Sequence, residues 1–199
     1  MSAISKTWGT EPEERRVAFP CDYLISQPDD VLYRGITIYA LPNTVFRWLC
    51  QMRAAPYSYD WIDNGGRQSP SNLTPGLEDL AVGQEVMRIF DLIRFAKDRQ
   101  LTLRLKGKSS ASRTFGDIAV TYLIIPVDNR STQSCRLLVK LVAKYPRGLY
   151  GRAMRMLLPW GDLIMMRRQL LNLKRLAEAT EKGRTNQAQR LSRRGADSR

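Results

Sequence analysis

Hydrophobic and polar positions alternate cleanly in the second half of the chain. Leu101, Leu103 and Leu105 are interleaved with Thr102, Arg104 and Lys106. Cys135, Leu137, Val139, Leu141 and Ala143 are interleaved with Arg136, Leu138, Lys140, Val142 and Lys144. Period two places successive side chains on opposite faces of a strand, so these segments predict an antiparallel sheet with one face buried and one wet. Glu85–Phe95 and the nearly continuous apolar run Gly116–Ile125 supply two more strands of the same meander. Upstream, Leu32–Ala40 is β-branched and aromatic, with Leu32, Ile36, Ile38 and Ala40 on one side, and predicts a first strand. Leu41-Pro42-Asn43 breaks it. Asn43 is the expected cap of a helix through Met52 whose apolar side is Val45, Phe46, Leu49 and Cys50.

The pattern then changes period. From Pro159, residues Leu163, Met166, Leu170, Leu173 and Ala177 recur at steps of three and four, one stripe of a long terminal helix. Pro159 suits its first turn, Asp162 the positive end of its dipole, and Gly183 its end. A helix of that length, about 33–36 Å at 1.5 Å per residue, needs a broad surface to lie on. The strands just before it supply a candidate, and this helix is the only element long enough to cover them. Ala55–Trp61 forms a second short turn or helix, Asn64-Gly65 is a turn signal, KGKSSASRTF reads as a flexible link, and PVDNRSTQ reads as a hairpin link. The expected organisation is an extended lead-in over 1–30, one α+β domain over 31–181, and a basic disordered tail over 182–199.

Composition narrows the chemistry. No histidine occurs in the 199 residues, which removes His-dependent nucleophile pairs and His-ligated metals and leaves acid–base work to Asp, Glu, Tyr, Lys or Cys. Cys21, Cys50 and Cys135 lack metal-ligand spacing and read as reduced thiols of a cytoplasmic protein, with no metal and no cofactor expected. No secretory signal and no apolar run of spanning length is visible. A net charge of +13 favours anionic partners. After Glu181 the chain carries six Lys/Arg against one Asp, and Arg167, Arg168, Lys174 and Arg175 repeat at a spacing of seven. These residues and the tail are the candidate surface for an anionic membrane. Nucleic acid is disfavoured, because the interleaving of aromatic and basic residues used by strand-based RNA readers is missing.

The order strand, two short helices, meander, long helix resembles the helix-grip fold of the START/SRPBCC superfamily, which includes lipid-transfer domains and bacterial polyketide cyclase/dehydratase-like proteins. ITIYALPNTVFRWLCQM is similar to the family's opening, PYSYDWIDN with LEDLAVGQEV to the second helix and entry of the meander in a bacterial subgroup, and GDLIMMRRQLLNLKRLAE to its terminal helix. The resemblance spans about 31–181 and implies a curved antiparallel sheet wrapped around the C-terminal helix. It also implies a cavity between them for a hydrophobic small molecule or lipid. Trp48, Tyr57, Trp61, Tyr122, Met156, Leu163, Met166 and Leu170 are the candidate ligand-binding residues. Met154, Met156, Met165 and Met166 concentrate flexible, polarizable side chains in the terminal segment, as an adaptable lining requires.

The first reading is therefore a carrier or sensor without a catalytic constellation. The alternative is a cyclase/dehydratase-type enzyme in which Asp60 and Tyr59, assisted by Arg67, move protons in the same cavity. A third reading is a basic regulator that docks on ribosome or nucleic acid.

Overall fold

The computed structural model describes residues 3–63, 65–127 and 133–196. The chain runs through α1 (Ala3–Thr7), β1 (Asp30–Ile38), α2 (Pro42–Cys50), α3 (Asp60–Asp63), β2 (Glu85–Val86), β3 (Phe90–Ala96) and β4 (Gln100–Leu105). It continues with α4 (Ser110–Phe115), β5 (Asp117–Val127), β6 (Ser134–Lys144) and α5 (Gly148–Ala196). The six strands form one antiparallel sheet in the order β1-β6-β5-β4-β3-β2. First and last strands meet, Leu32 opposite Leu141, so the meander closes back on the N-terminal strand. A register shift between Leu92 and Arg94 marks a bulge in β3, a device that bends a strand.

Period two holds in space. Leu101, Leu103, Leu105, Leu137, Val139, Leu141 and Ala143 share one core with Leu170, Leu173 and Ala177 of α5 and with Val45, Trp48 and Leu49 of α2. The apolar stripe expected of the terminal helix is the face that grips the sheet. The other sheet face departs from expectation, because it is not simply wet. Phe19, Cys21 and Ile25 of the lead-in pack on Ala119, Leu138 and Val142 in a second buried cluster. There the Cys21 N–H donates to Thr121 Oγ1 at 3.1 Å, and the Lys140 ammonium lies over the Phe19 and Tyr33 rings at 5.5 and 5.2 Å while bridging Asp22. The lead-in is thus part of the domain's packing and covers the sheet's back.

Close backbone contact fixes its path. Gly9, at φ +74°, lies where a Cβ would come 2.1 Å from the Gly35 carbonyl oxygen, so α1 can cross β1 only with glycine at this position.

Helix boundaries show further departures. Leu41, not Asn43, is the cap position of α2, and Pro42 takes the first turn, where a missing N–H costs nothing. The KGKSSASRTF link contains α4, whose cap Ser109 accepts from the Ser112 N–H. Helix α5 begins eleven residues before Pro159 (148 against 159), so Pro159 is interior. Gly151 lets the helix start tight against β6's exit, since a Cβ there would meet the Pro146 carbonyl oxygen at 1.7 Å. Gly183 does not stop the helix, which continues to Ala196. An interior glycine costs only about 1 kcal/mol, and Arg184 and Thr185 both bond back to Glu181 across it. Asn64 and most of the PVDNRSTQ link lie outside the described residues.

Candidate apolar cavity beneath the terminal helix

Between the sheet and α5 lies a cavity of about 350 Å³. Val120, Tyr122 and Leu141 form its floor on β5 and β6, Met165, Met166, Asp162 and Gln169 its helical wall, and Pro56, Ser58 and the Met87–Phe90 turn its rim. The rim is held in strained backbone, because Met87 and Arg88 have φ of +50° and +65°. The Met87 N–H donates to the Met52 carbonyl at 3.0 Å, which anchors that turn to the 3-10 turn just after α2.

The polar groups of the cavity are largely engaged with one another. The Tyr122 hydroxyl donates to Gln169 Oε1 at 2.7 Å, and Gln169 Nε2 donates to the Pro56 carbonyl at 2.6 Å. Complete burial pushes the Tyr122 phenol far above its ordinary value, with the nearby Asp162 carboxylate adding to the effect, so Tyr122 is a neutral hydrogen-bonding group at any physiological pH. Asp162 pairs with Arg34 Nη2 at 2.6 Å, and the same guanidinium donates to the carbonyls of Ser5, Tyr33 and Pro159. Burial pushes the Asp162 carboxyl up from its ordinary value against the pull of Arg34. Apart from Arg88, an exposed cation on the rim, the lining is apolar with a few satisfied polar groups at one side, which suits an apolar guest.

The structure brings together some of the expected site residues and separates others. Tyr122 and Met166 line the cavity. Leu170 is buried in the core between helix and sheet and Leu163 is buried on the same helix, neither lining the cavity, and Met156 and Trp61 are exposed to solvent. Trp48 and Tyr57 form an edge-to-face pair 6.0 Å apart in the core, with Trp48 Nε1 donating to Thr180 Oγ1. Burial pushes the Tyr57 phenol up to about 12.

Asp60 and Tyr59 do not share the apolar cavity. They line a neighbouring polar groove of about 510 Å³ with Arg168, Asn172 and Arg175, which meets the cavity only at Ser58. Asp60 accepts from the Ser69 N–H at 2.9 Å and from its hydroxyl at 2.5 Å, the geometry of a carboxylate that ties down a loop. Tyr59 lies beneath the Arg168 guanidinium. A larger cleft of about 780 Å³ between β4 and the exit of β6 is wide open, and two of its charges, Arg104 and Asp117, are paired with each other.

Sequence reasoning missed Arg34, Gln169 and the Met87 turn. A charge at the one polar position among Leu32, Ile36 and Ile38 on an apolar strand face was the available signal for Arg34. Among the described residues no group of three or more His, Cys, Asp or Glu is placed to hold a metal ion, and no helix is long and apolar enough to cross a membrane.

No protein-family model matches the chain, and no curated protein matches it. Solved structures do. A hypothetical protein from Helicobacter pylori superposes with a TM-score of 0.53 at 15% identity, over 81% of this chain and 95% of that one. A protein from Mesorhizobium loti gives 0.49 at 14% identity, over 76% and 98%. Truncated norcoclaurine synthase from Thalictrum flavum gives 0.41 at 10%, over 76% and 97%. At such identities the likeness is one of fold. Six antiparallel strands curved beneath a long C-terminal helix make this an α+β protein with a helix-grip fold.

Proposed function

We propose that this protein is a carrier or sensor that binds a hydrophobic small molecule or lipid in the cavity between sheet and α5. The observation that carries the reading is the cavity itself. Its 350 Å³ lie within the range of roughly 300–1,000 Å³ usual for small-molecule sites. Its walls are Val120, Leu141, Phe90 and three flexible methionines, and its hydroxyl and amide groups already bond one another. A guest therefore gains mainly by burying apolar surface, at roughly 25 cal/mol per Å². The helix-grip scaffold is consistent with ligand binding and does not name the ligand.

The geometry gives the enzymatic alternative less support. Asp60 and Tyr59 face a polar groove outside the cavity, and both Asp60 oxygens are occupied by Ser69.

Displacement of an apolar fluorophore, together with native mass spectrometry of the protein purified from its host, tests the proposal. Val120→Phe should fill the floor, lower fluorophore affinity about tenfold or more and leave the fold cooperative. Asp60→Asn should leave affinity within a few-fold. Fluorophore binding that is indifferent to Val120→Phe would overturn the assignment of the cavity.

A further inference from the structure

Helix α5 buries one face in the domain, yet a second, outward face is also apolar. Leu149, Met156, Leu157, Trp160 and Ile164 are exposed by 81, 66, 65, 44 and 56%. At 100° per residue these positions fall within one sector of the helix, a continuous outward stripe. The same sector continues C-terminally as Arg167, Arg168, Leu171 and Arg175, all exposed. An isolated exposed leucine is ordinary, but five large apolar side chains aligned on one helix face mark an interaction surface.

Charge identifies the partner. Between Gly148 and Arg175 the helix carries six Lys/Arg and one acid. That acid, Asp162, is turned inward onto Arg34. Arg155 is paired with Asp29 and Lys174 with Glu178, whereas Arg152, Arg167, Arg168 and Arg175 have no acidic partner among the described residues. The exposed surface of this stretch is therefore apolar and cationic. A two-fold contact with a second copy would set the same patch against itself, with no carboxylate on it to pair the arginines.

We propose that the outward face of α5 docks on an anionic lipid surface. The Leu149–Ile164 stripe lies in the acyl boundary, and Arg167, Arg168 and Arg175 lie among the headgroups. Interfacial helices have this construction: leucine and tryptophan on the inserted side, arginine beside them. Each Lys/Arg held near an anionic leaflet strengthens attachment severalfold. The proposal stands apart from the ligand reading, since none of the stripe residues lines the cavity.

The test is co-sedimentation of the full chain with vesicles of phosphatidylcholine alone and of phosphatidylcholine mixed three to one with phosphatidylglycerol. Binding is expected on the anionic vesicles, at least about tenfold weaker on the neutral ones, and strongly reduced near 1 M salt, where charges are screened within about 3 Å. Leu157→Glu and the pair Arg168→Glu with Arg175→Glu should each weaken it about tenfold or more while fluorophore binding in the cavity is unchanged. If Leu157→Glu melts early, Met156→Gln, at an equally exposed position, carries the same test. Absence of vesicle binding, equal binding to both vesicle types, or binding indifferent to these variants would overturn the proposal. Concentration-dependent dimerisation abolished by Leu157→Glu would also overturn it, by assigning the face to a second copy.

Discussion

Arg34 Nη2 stands 2.6 Å from Asp162 Oδ2 and joins β1 to α5 across 128 positions of sequence. The guanidinium is almost wholly buried, and its Nε has no hydrogen-bond partner. Arg34→Met or Asp162→Leu alone should cost about 3–5 kcal/mol, because each leaves the other charge buried and unpaired. The double replacement should return close to the parent, since a buried pair is often no better than well-packed apolar side chains. Urea melts of the four proteins decide this. Burial raises the Asp162 carboxyl above its unfolded value, so its share of stability is full below the ordinary carboxylate pKa and is lost as pH rises through the folded one. That downward slope above the ordinary carboxylate pKa should vanish in the double variant.

Leu170 and Leu171 are adjacent in sequence and opposite in environment: Leu170 is fully buried and Leu171 is exposed. Leu170→Asp should abolish cooperative folding, because a carboxylate would sit unpaired between helix and sheet. Leu171→Asp should change stability by less than about 1 kcal/mol. Thermal melts followed by circular dichroism measure both, and a cooperative, unshifted melt for Leu170→Asp would refute the facing of α5.

Burial pushes the thiol of Cys21 up to about 11, and those of Cys50 and Cys135 up to about 12. All three are buried and free. The native protein should therefore resist an aromatic disulfide reagent at mildly alkaline pH and react at three sites in denaturant, because only the exposed thiolate attacks. These raised values give stability that is full below the ordinary thiol pKa and lost as pH climbs through the folded values. Alkaline unfolding should precede extensive labelling.

Glu14 behaves in the opposite sense. Its partial burial would raise the carboxyl, but hydrogen bonds from Arg136 at 2.7 and 2.8 Å and from the Glu11 N–H at 2.9 Å outweigh that and hold it below the ordinary value. Its contribution is present above the ordinary carboxylate pKa and disappears as pH falls through the folded one. Glu14→Gln should flatten the acid limb of the stability curve and hasten proteolysis within the first thirty residues, where Arg136 also holds the Gly9 carbonyl. Limited proteolysis at neutral pH checks the second effect directly.

The strands and the gripping face of the terminal helix were legible in the sequence by itself. Period two in Leu101–Leu105 and Cys135–Ala143, and the three-four steps of Leu163, Met166, Leu170, Leu173 and Ala177, follow from how side chains leave an extended or helical backbone. That geometry is local, so it survives without knowledge of neighbours. Tyr122 and Met166, expected at a cavity only through the family resemblance, both line the one beneath α5.

The rest was decided by the tertiary structure. Pro159 looked like a beginning and is an interior residue: the helix runs on upstream of it although a proline removes one backbone hydrogen bond, and Gly151 lets it start against Pro146. Asp60 looked like a candidate acid or base and is tied to Ser69 in a separate groove, while Asp162 looked like a dipole partner and is the buried mate of Arg34. The lead-in became the cover of the sheet's back only because Phe19, Cys21 and Ile25 find Leu138 and Val142 there. A charge pair or a covering segment depends on which distant residues the fold brings within a few ångströms, and periodicity along the chain carries no record of that distance.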